Sequence, residues 1–89
     1  MKKLIFAIVM ADAVESVSRA LVEKHFPVTQ IASVGGFLRR GNTTLVIGVD
    51  ADQVQNVIAV IREACAPYNK GDQHAATLFV LNAAQFIQT

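Results

Sequence analysis

Two stretches of this chain, forty residues apart, carry the same pattern, and this repeat limits the possible folds more than any other feature. Residues 4–25, LIFAIVMADAVESVSRALVEKH, lie over residues 44–65, TLVIGVDADQVQNVIAVIREAC. Val9, Ala11, Asp12, Val14, Val17 and Glu23 recur as Val49, Ala51, Asp52, Val54, Val57 and Glu63, and Leu21 is matched by Ile61. Each copy opens on a continuous apolar run, Leu4–Val9 or Leu45–Val49, as a strand buried or half-buried in a sheet does. Each then changes to helical spacing, through Val14, Val17, Leu21 and Val22 in the first copy and Val54, Val57, Ile58 and Ile61 in the second. Such spacing predicts one apolar stripe per helix, turned towards the sheet.

Helix starts are signalled by Asp12-x-x-Glu15 and by Asp50-x-x-Gln53 or Asp52-x-x-Gln55. In each, a short acceptor side chain can cap a free N–H while the residue three on reaches back. After Pro27, residues 28–33 (VTQIAS) alternate as a half-exposed strand does. The second helix is expected to stop before Pro67, because the residue preceding proline is biased away from αR. A polar stretch, Tyr68 to His74, leads to a last strand over Thr77–Leu81, and residues 83–89 form a short tail. The order is βαββαβ. Two split β-α-β units in this order predict an α+β, ferredoxin-like sandwich: an antiparallel four-stranded sheet with both helices on one face. Eighty-nine residues make a single domain, 1–89, with no room for a second core.

Hydrophobic residues make up 53% of the chain and charged residues 17%, against about 45–50% and ~25% in ordinary domains. A domain this small cannot bury the excess by itself, so the composition predicts a homo-oligomer. The longest apolar run, Leu4 to Ala11, is far short of the ~20 residues a membrane-spanning helix needs. Met-Lys-Lys followed by apolar residues has the outline of a signal peptide, but Asp12 and Glu15 interrupt it early, and a first strand is the better reading. A net charge of +1 offers no basic stripe for a nucleic acid polymer. The single cysteine, Cys65, rules out an internal disulfide and suits a cytoplasmic setting.

The connection between the second and third strands reads VGGFLRRGNTT, residues 34–44. A minimal hairpin needs two to five residues, and this one spends about ten. Gly35, Gly36 and Gly41 permit positive φ and close backbone approach to a ligand. Phe37 and Leu38 either pack on a neighbouring subunit or cover a planar ligand. Asn42 either tolerates the turn or presents one donor and one acceptor to an adenine edge. Arg39 and Arg40 either solvate the loop or attract phosphate. Catalysis has no constellation here, so no enzyme is expected. His25 and His74 have no ligands at metal spacing; His25 ends the first helix as a dipole-complementing cation, and Cys65 is a small core residue.

Thr29, the GGFLRRGNTT run and the following Leu45–Val49 resemble the cyclic-di-AMP receptor family of PII-like signal transduction proteins. The start of the chain and its ending, Ala76–Leu81 through Phe86-Ile87-Gln88, are similar as well. The resemblance implies a cytoplasmic homotrimer that binds cyclic di-AMP in clefts between subunits, is not an enzyme, needs no cofactor, and signals to a downstream protein. Carried onto this chain, it implies that Asn42 reads an adenine edge, Phe37 and Leu38 cover the base, and Gly36 lets the backbone approach. Thr29 and Gly48 contact the ligand from the sheet edge, with Phe79 and Gln88 as further contacts. The alternative is a trimeric scaffold that binds another adenine nucleotide or a protein partner alone. The chain departs from the family pattern twice. Pro27 stands where a basic residue often faces a phosphate, and only about ten residues, Pro67 to Ala76, replace a long loop before the last strand.

Overall fold

In a computed structural model of the chain, residues 1–31 and 41–83 are described. They form β1 (Lys2–Val9), α1 (Ala11–Glu23), β2 (Val28–Ile31), β3 (Thr43–Asp50), α2 (Val54–Cys65) and β4 (Ala76–Ala83). One sheet in the order β2-β3-β1-β4 joins the four strands, and each neighbouring pair is antiparallel. This is the expected βαββαβ sandwich. The repeat has a geometric counterpart: Phe6 lies opposite Val46 in the β1–β3 ladder, and these two residues are equivalents forty apart. The approximate two-fold axis relating the halves therefore passes through the middle of the sheet.

One face of the sheet carries the core. Ile5, Ala7 and Val9 of β1 and Leu45, Ile47 and Val49 of β3 pack against Ala13, Val17 and Leu21 of α1 and Val54, Val57, Ile61 and Cys65 of α2. Burial pushes the Cys65 thiol up from its ordinary pKa, which keeps it an apolar packing group. Of the expected α1 stripe, Val17 and Leu21 are buried and Val14 is half-buried, Ala13 is buried beside them, and Val22 falls outside. Val22 is 63% exposed, because it stands roughly 140° around the helix from Val17, the middle of the buried stripe.

The expected capping boxes do not form. Met10 is the N-cap of α1 and no side chain caps it; its carbonyl accepts from Ala13 N–H at 2.9 Å. Asp12 sits inside the first turn, where its charge still complements the helix dipole. Asp50 precedes a short 3-10 turn, Ala51–Gln53, again without capping. The β1–β3 register puts Asp50 opposite Lys2, and the two form an ion pair at 3.1 Å. The α-helical part of the second helix does end before Pro67, at Cys65, but Ala66 remains αR and Pro67 falls inside a following 3-10 turn, Ala66–Tyr68. Proline at the start of such a turn lacks only an N–H that had no partner to lose. Of the expected strand 28–33, residues 28–31 form β2 and 32–33 lie outside the described residues, while β3 already begins at Thr43.

His25 ends α1 by conformation rather than by charge. It adopts φ 65, its N–H donates to Val22 C=O at 2.9 Å, and Phe26 N–H donates to Leu21 C=O at 3.0 Å. That pair of bonds is a Schellman stop, a position that glycine fills at least steric cost. His25→Gly is expected to raise stability by about 0.5–1 kcal/mol, seen as a rise in Tm of roughly 3–6 °C at fixed protein concentration. An unchanged or lower Tm would show that the histidine side chain contributes more than its backbone costs. Among the described residues, no helix is long and apolar enough to cross a membrane.

Candidate functional site

Among the described residues, the second face of the sheet carries no helix, yet it is nearly as apolar as the first. Its central row runs Thr29, Val46, Phe6 and Phe79 across all four strands. One row towards the start of β1 lie Gly48, Leu4 and Leu81; one row the other way lie Ile31, Thr44, Ile8 and Thr77. Phe79 is 52% exposed and Leu81 49%, and with Phe6, Ile8 and Thr44 they line a shallow hollow of ≈ 270 Å³. β4 is also open on its helix side, where Val80 is 44% exposed. The continuous apolar runs in β1 and β3 supply both faces, Ile5, Ala7, Val9, Leu45, Ile47 and Val49 to the core and Leu4, Phe6, Ile8 and Val46 to the second face.

Four of the sequence-predicted site residues fall among the described ones, and a single chain does not bring them together. Thr29 and Phe79 occupy opposite edges of the central row, three strand spacings or about 14 Å apart. Asn42 immediately precedes β3 and Gly48 lies within it, six residues on or about 20 Å away. Gly48 lies where β3 has lost its edge partner, since the ladder with β2 begins at Val28 opposite Ile47 and Pro27 has no N–H to extend it. Gly36, Phe37, Leu38 and Gln88, with Arg39 and Arg40, lie outside the described residues. Gly41 adopts φ 90 as its place in the loop suggests, and an added Cβ there would meet Ala11 Cβ at 3.7 Å.

Asn42 stands in a polar recess at one end of the sheet. A cleft of ≈ 480 Å³ at the end of the sheet is lined by Ile8, Met10, Asn42, Gln73, His74, Ala75 and Thr77. Gln73, His74 and Thr77 were not marked by sequence spacing. The signal for them was the polar stretch before β4, which the sequence alone does not connect to Asn42, thirty or more residues earlier.

Comparison with known proteins gives this geometry a context. A family model described as cyclic-di-AMP receptor matches residues 1–88. Among solved structures, the chain is similar to a functionally unknown protein from Pediococcus pentosaceus ATCC 25745. The identity is 31% over 99% of this chain and 97% of that one, with a TM-score of 0.81. It is also similar to Arabidopsis thaliana PII bound to citrate, at 26% identity over 98% of this chain and 79% of that one, with a TM-score of 0.71.

Proposed function

The chain belongs to the cyclic-di-AMP receptor family, and on that premise we propose that it is a PII-like sensor binding cyclic di-AMP between the subunits of a homotrimer. It works in the cytoplasm without catalysis or cofactor, and the 34–44 loop relays ligand occupancy to a partner protein. One observation carries the intersubunit part of this reading. Thr29 and Phe79 share a face and a row of the sheet but stand at its opposite edges, so they meet at one ligand only if two copies abut. The apolar, helix-free face and the doubly exposed β4 are the surfaces such an assembly covers.

In this reading Asn42 reads an adenine edge, while Thr29 and Gly48 contact the ligand from the strands. Gly36, Phe37 and Leu38 approach and cover the base, and Phe79 and Gln88 complete the site from the neighbouring subunit. Isothermal titration with cyclic di-AMP tests the proposal. Asn42→Ala is expected to weaken binding by about 5- to 150-fold, the worth of a two-bond base contact, with the assembly unchanged. No heat and no thermal stabilisation of the wild-type protein at high micromolar cyclic di-AMP would overturn the ligand assignment. Heat with a different adenine nucleotide instead would move the protein to that ligand.

A further inference from the structure

The two edges of the sheet carry hollows of opposite charge at the same level. On the helix side, Gln30 of β2 lies in one row with Leu78 of β4, through Leu45 and Ala7, and Val28 lies in one row with Val80. Beside β2, a groove of ≈ 700 Å³ runs along α1, and Ala11, Val14, Glu15, Ser18, Gln30 and Thr43 are among its lining. Beside β4, a cleft of ≈ 200 Å³ holds Leu78 and Ala76 together with Arg62 of α2.

The repeat relates α1 to α2 but not their charges: Glu15 is matched by Gln55, and Val22 by Arg62. The groove bears two carboxylates, Glu15 and Glu23, against one guanidinium, Arg19. The cleft bears Arg62 and no carboxylate. Glu15 Oε1 accepts from Arg19 Nη2 at 2.6 Å, which leaves Oε2 for a second donor. Arg62 is exposed and forms no ion pair among the described residues.

We infer that the β4 edge of a second copy of this chain seats on the β2 edge of the first, with the second copy's Leu78 and Val80 along the α1 groove and its Arg62 on the Glu15 carboxylate. The inference rests on the trimeric reading above and adds the contact that joins each pair of copies. Both β2 and β4 end the sheet, and an uncovered edge strand is a template for another strand. An assembly that covers the helix-free face of every copy turns all the helices outwards. The helix-side residues of an abutting β4 then point the same way as α1. Seating the copies row to row brings Leu78 beside Gln30, and so brings Arg62, which shares a cleft with Leu78, to Glu15, which shares a groove with Gln30. Val80, 44% exposed in one chain, is covered by the same contact. Each chain has one such groove and one such β4 edge, so the contact is heterologous and closes as a ring.

Charge exchange across the contact tests this, read by light scattering on dilution. Arg62→Glu is expected to raise the concentration at which the trimer half-dissociates by about thirtyfold, from about tenfold at each of three contacts and a square-root dependence of the midpoint. Glu15→Arg should act in the same direction. The double variant, Glu15→Arg with Arg62→Glu, should return to within about threefold of wild type. In about 1 M salt the defect of Arg62→Glu should shrink, because the repulsion is screened. Glu15 and Arg62 are both exposed, so unchanged far-ultraviolet dichroism is expected throughout. Single variants that assemble as wild type does, or a double variant that is not rescued, overturn this inference; cyclic di-AMP binding by the wild-type trimer then leaves the proposed function standing. Rescue in a trimer that binds no cyclic di-AMP upholds the contact and overturns only the ligand. A monomeric wild type overturns both.

Discussion

Replacing Phe79 by Asp is expected to leave the chain folded but monomeric. Phe79 lies on the helix-free face, 52% exposed, at the β4 end of the central row. The core of Ile5, Leu45, Ile47, Leu21 and Ile61 lies on the other face, so the substitution leaves the core packing intact. In the assembly, the same carboxylate has to be desolvated against apolar groups without a partner, and that cost is several kcal/mol even after relaxation. Light scattering coupled to size exclusion should show about three chains for wild type and one chain of 9.6 kDa for the variant, with unchanged far-ultraviolet dichroism. On the proposed intersubunit site, which takes Thr29 and Phe79 from different copies, cyclic di-AMP binding should vanish with the assembly. A trimeric variant, or a monomeric wild type, would remove the basis for an intersubunit site.

Leu21→Ala is expected to be the most damaging single truncation in α1. The side chain is fully buried between helix and sheet. Its carbonyl also accepts the closing bonds of the helix stop, from Phe26 N–H at 3.0 Å and Lys24 N–H at 3.2 Å. Removing a buried leucine leaves a cavity and costs about 2–5 kcal/mol, a large share of the roughly 5–15 kcal/mol that holds a domain together. Chemical denaturation at fixed protein concentration should show the midpoint falling with little change in slope. Val22→Ala, one position on but 63% exposed, should shift stability by no more than about 0.5 kcal/mol. Equal effects at the two positions would mean that Val22 is covered in the assembly.

Val22 also shows where pattern reading stops. Val14, Val17, Leu21 and Val22 all fit a helical apolar spacing, and only packing against the sheet selects Ala13, Val17 and Leu21 as the buried line. The capping residues fail for a related reason. Asp50 reads as a cap locally, but the strand register delivers Lys2 to its carboxylate, and an ion pair across the ladder competes with a local bond. The sequence places His25 at the end of the first helix by its charge, but its positive φ is not legible there, because residue type signals that conformation only weakly outside glycine. The loop glycine Gly41 was legible for the opposite reason, since a positive φ there matches the residue.

For the site, the GGFL–GNTT run pointed to Asn42, Thr29 and Gly48 by resemblance, while Gln73 and His74 carried no such mark. Their approach to Asn42 depends on β1 pairing with β3 on one side and β4 on the other, which brings residues 42 and 73–77 to the same end of the sheet.

By itself, then, the sequence determined the element order, the two helices, the equivalence of Val17 with Val57 and Leu21 with Ile61, and an apolar excess beyond what one small core holds. These are encoded at spacings of 2 and 3.6 residues and by a forty-residue repeat, all readable along the chain. Only the tertiary structure decided which strand became an edge, that Thr29 and Phe79 end one row, and that the turn before β4 walls the Asn42 cleft. Those outcomes are set by hydrogen-bond register between distant strands, an energy shared by many residues and assigned to none of them singly.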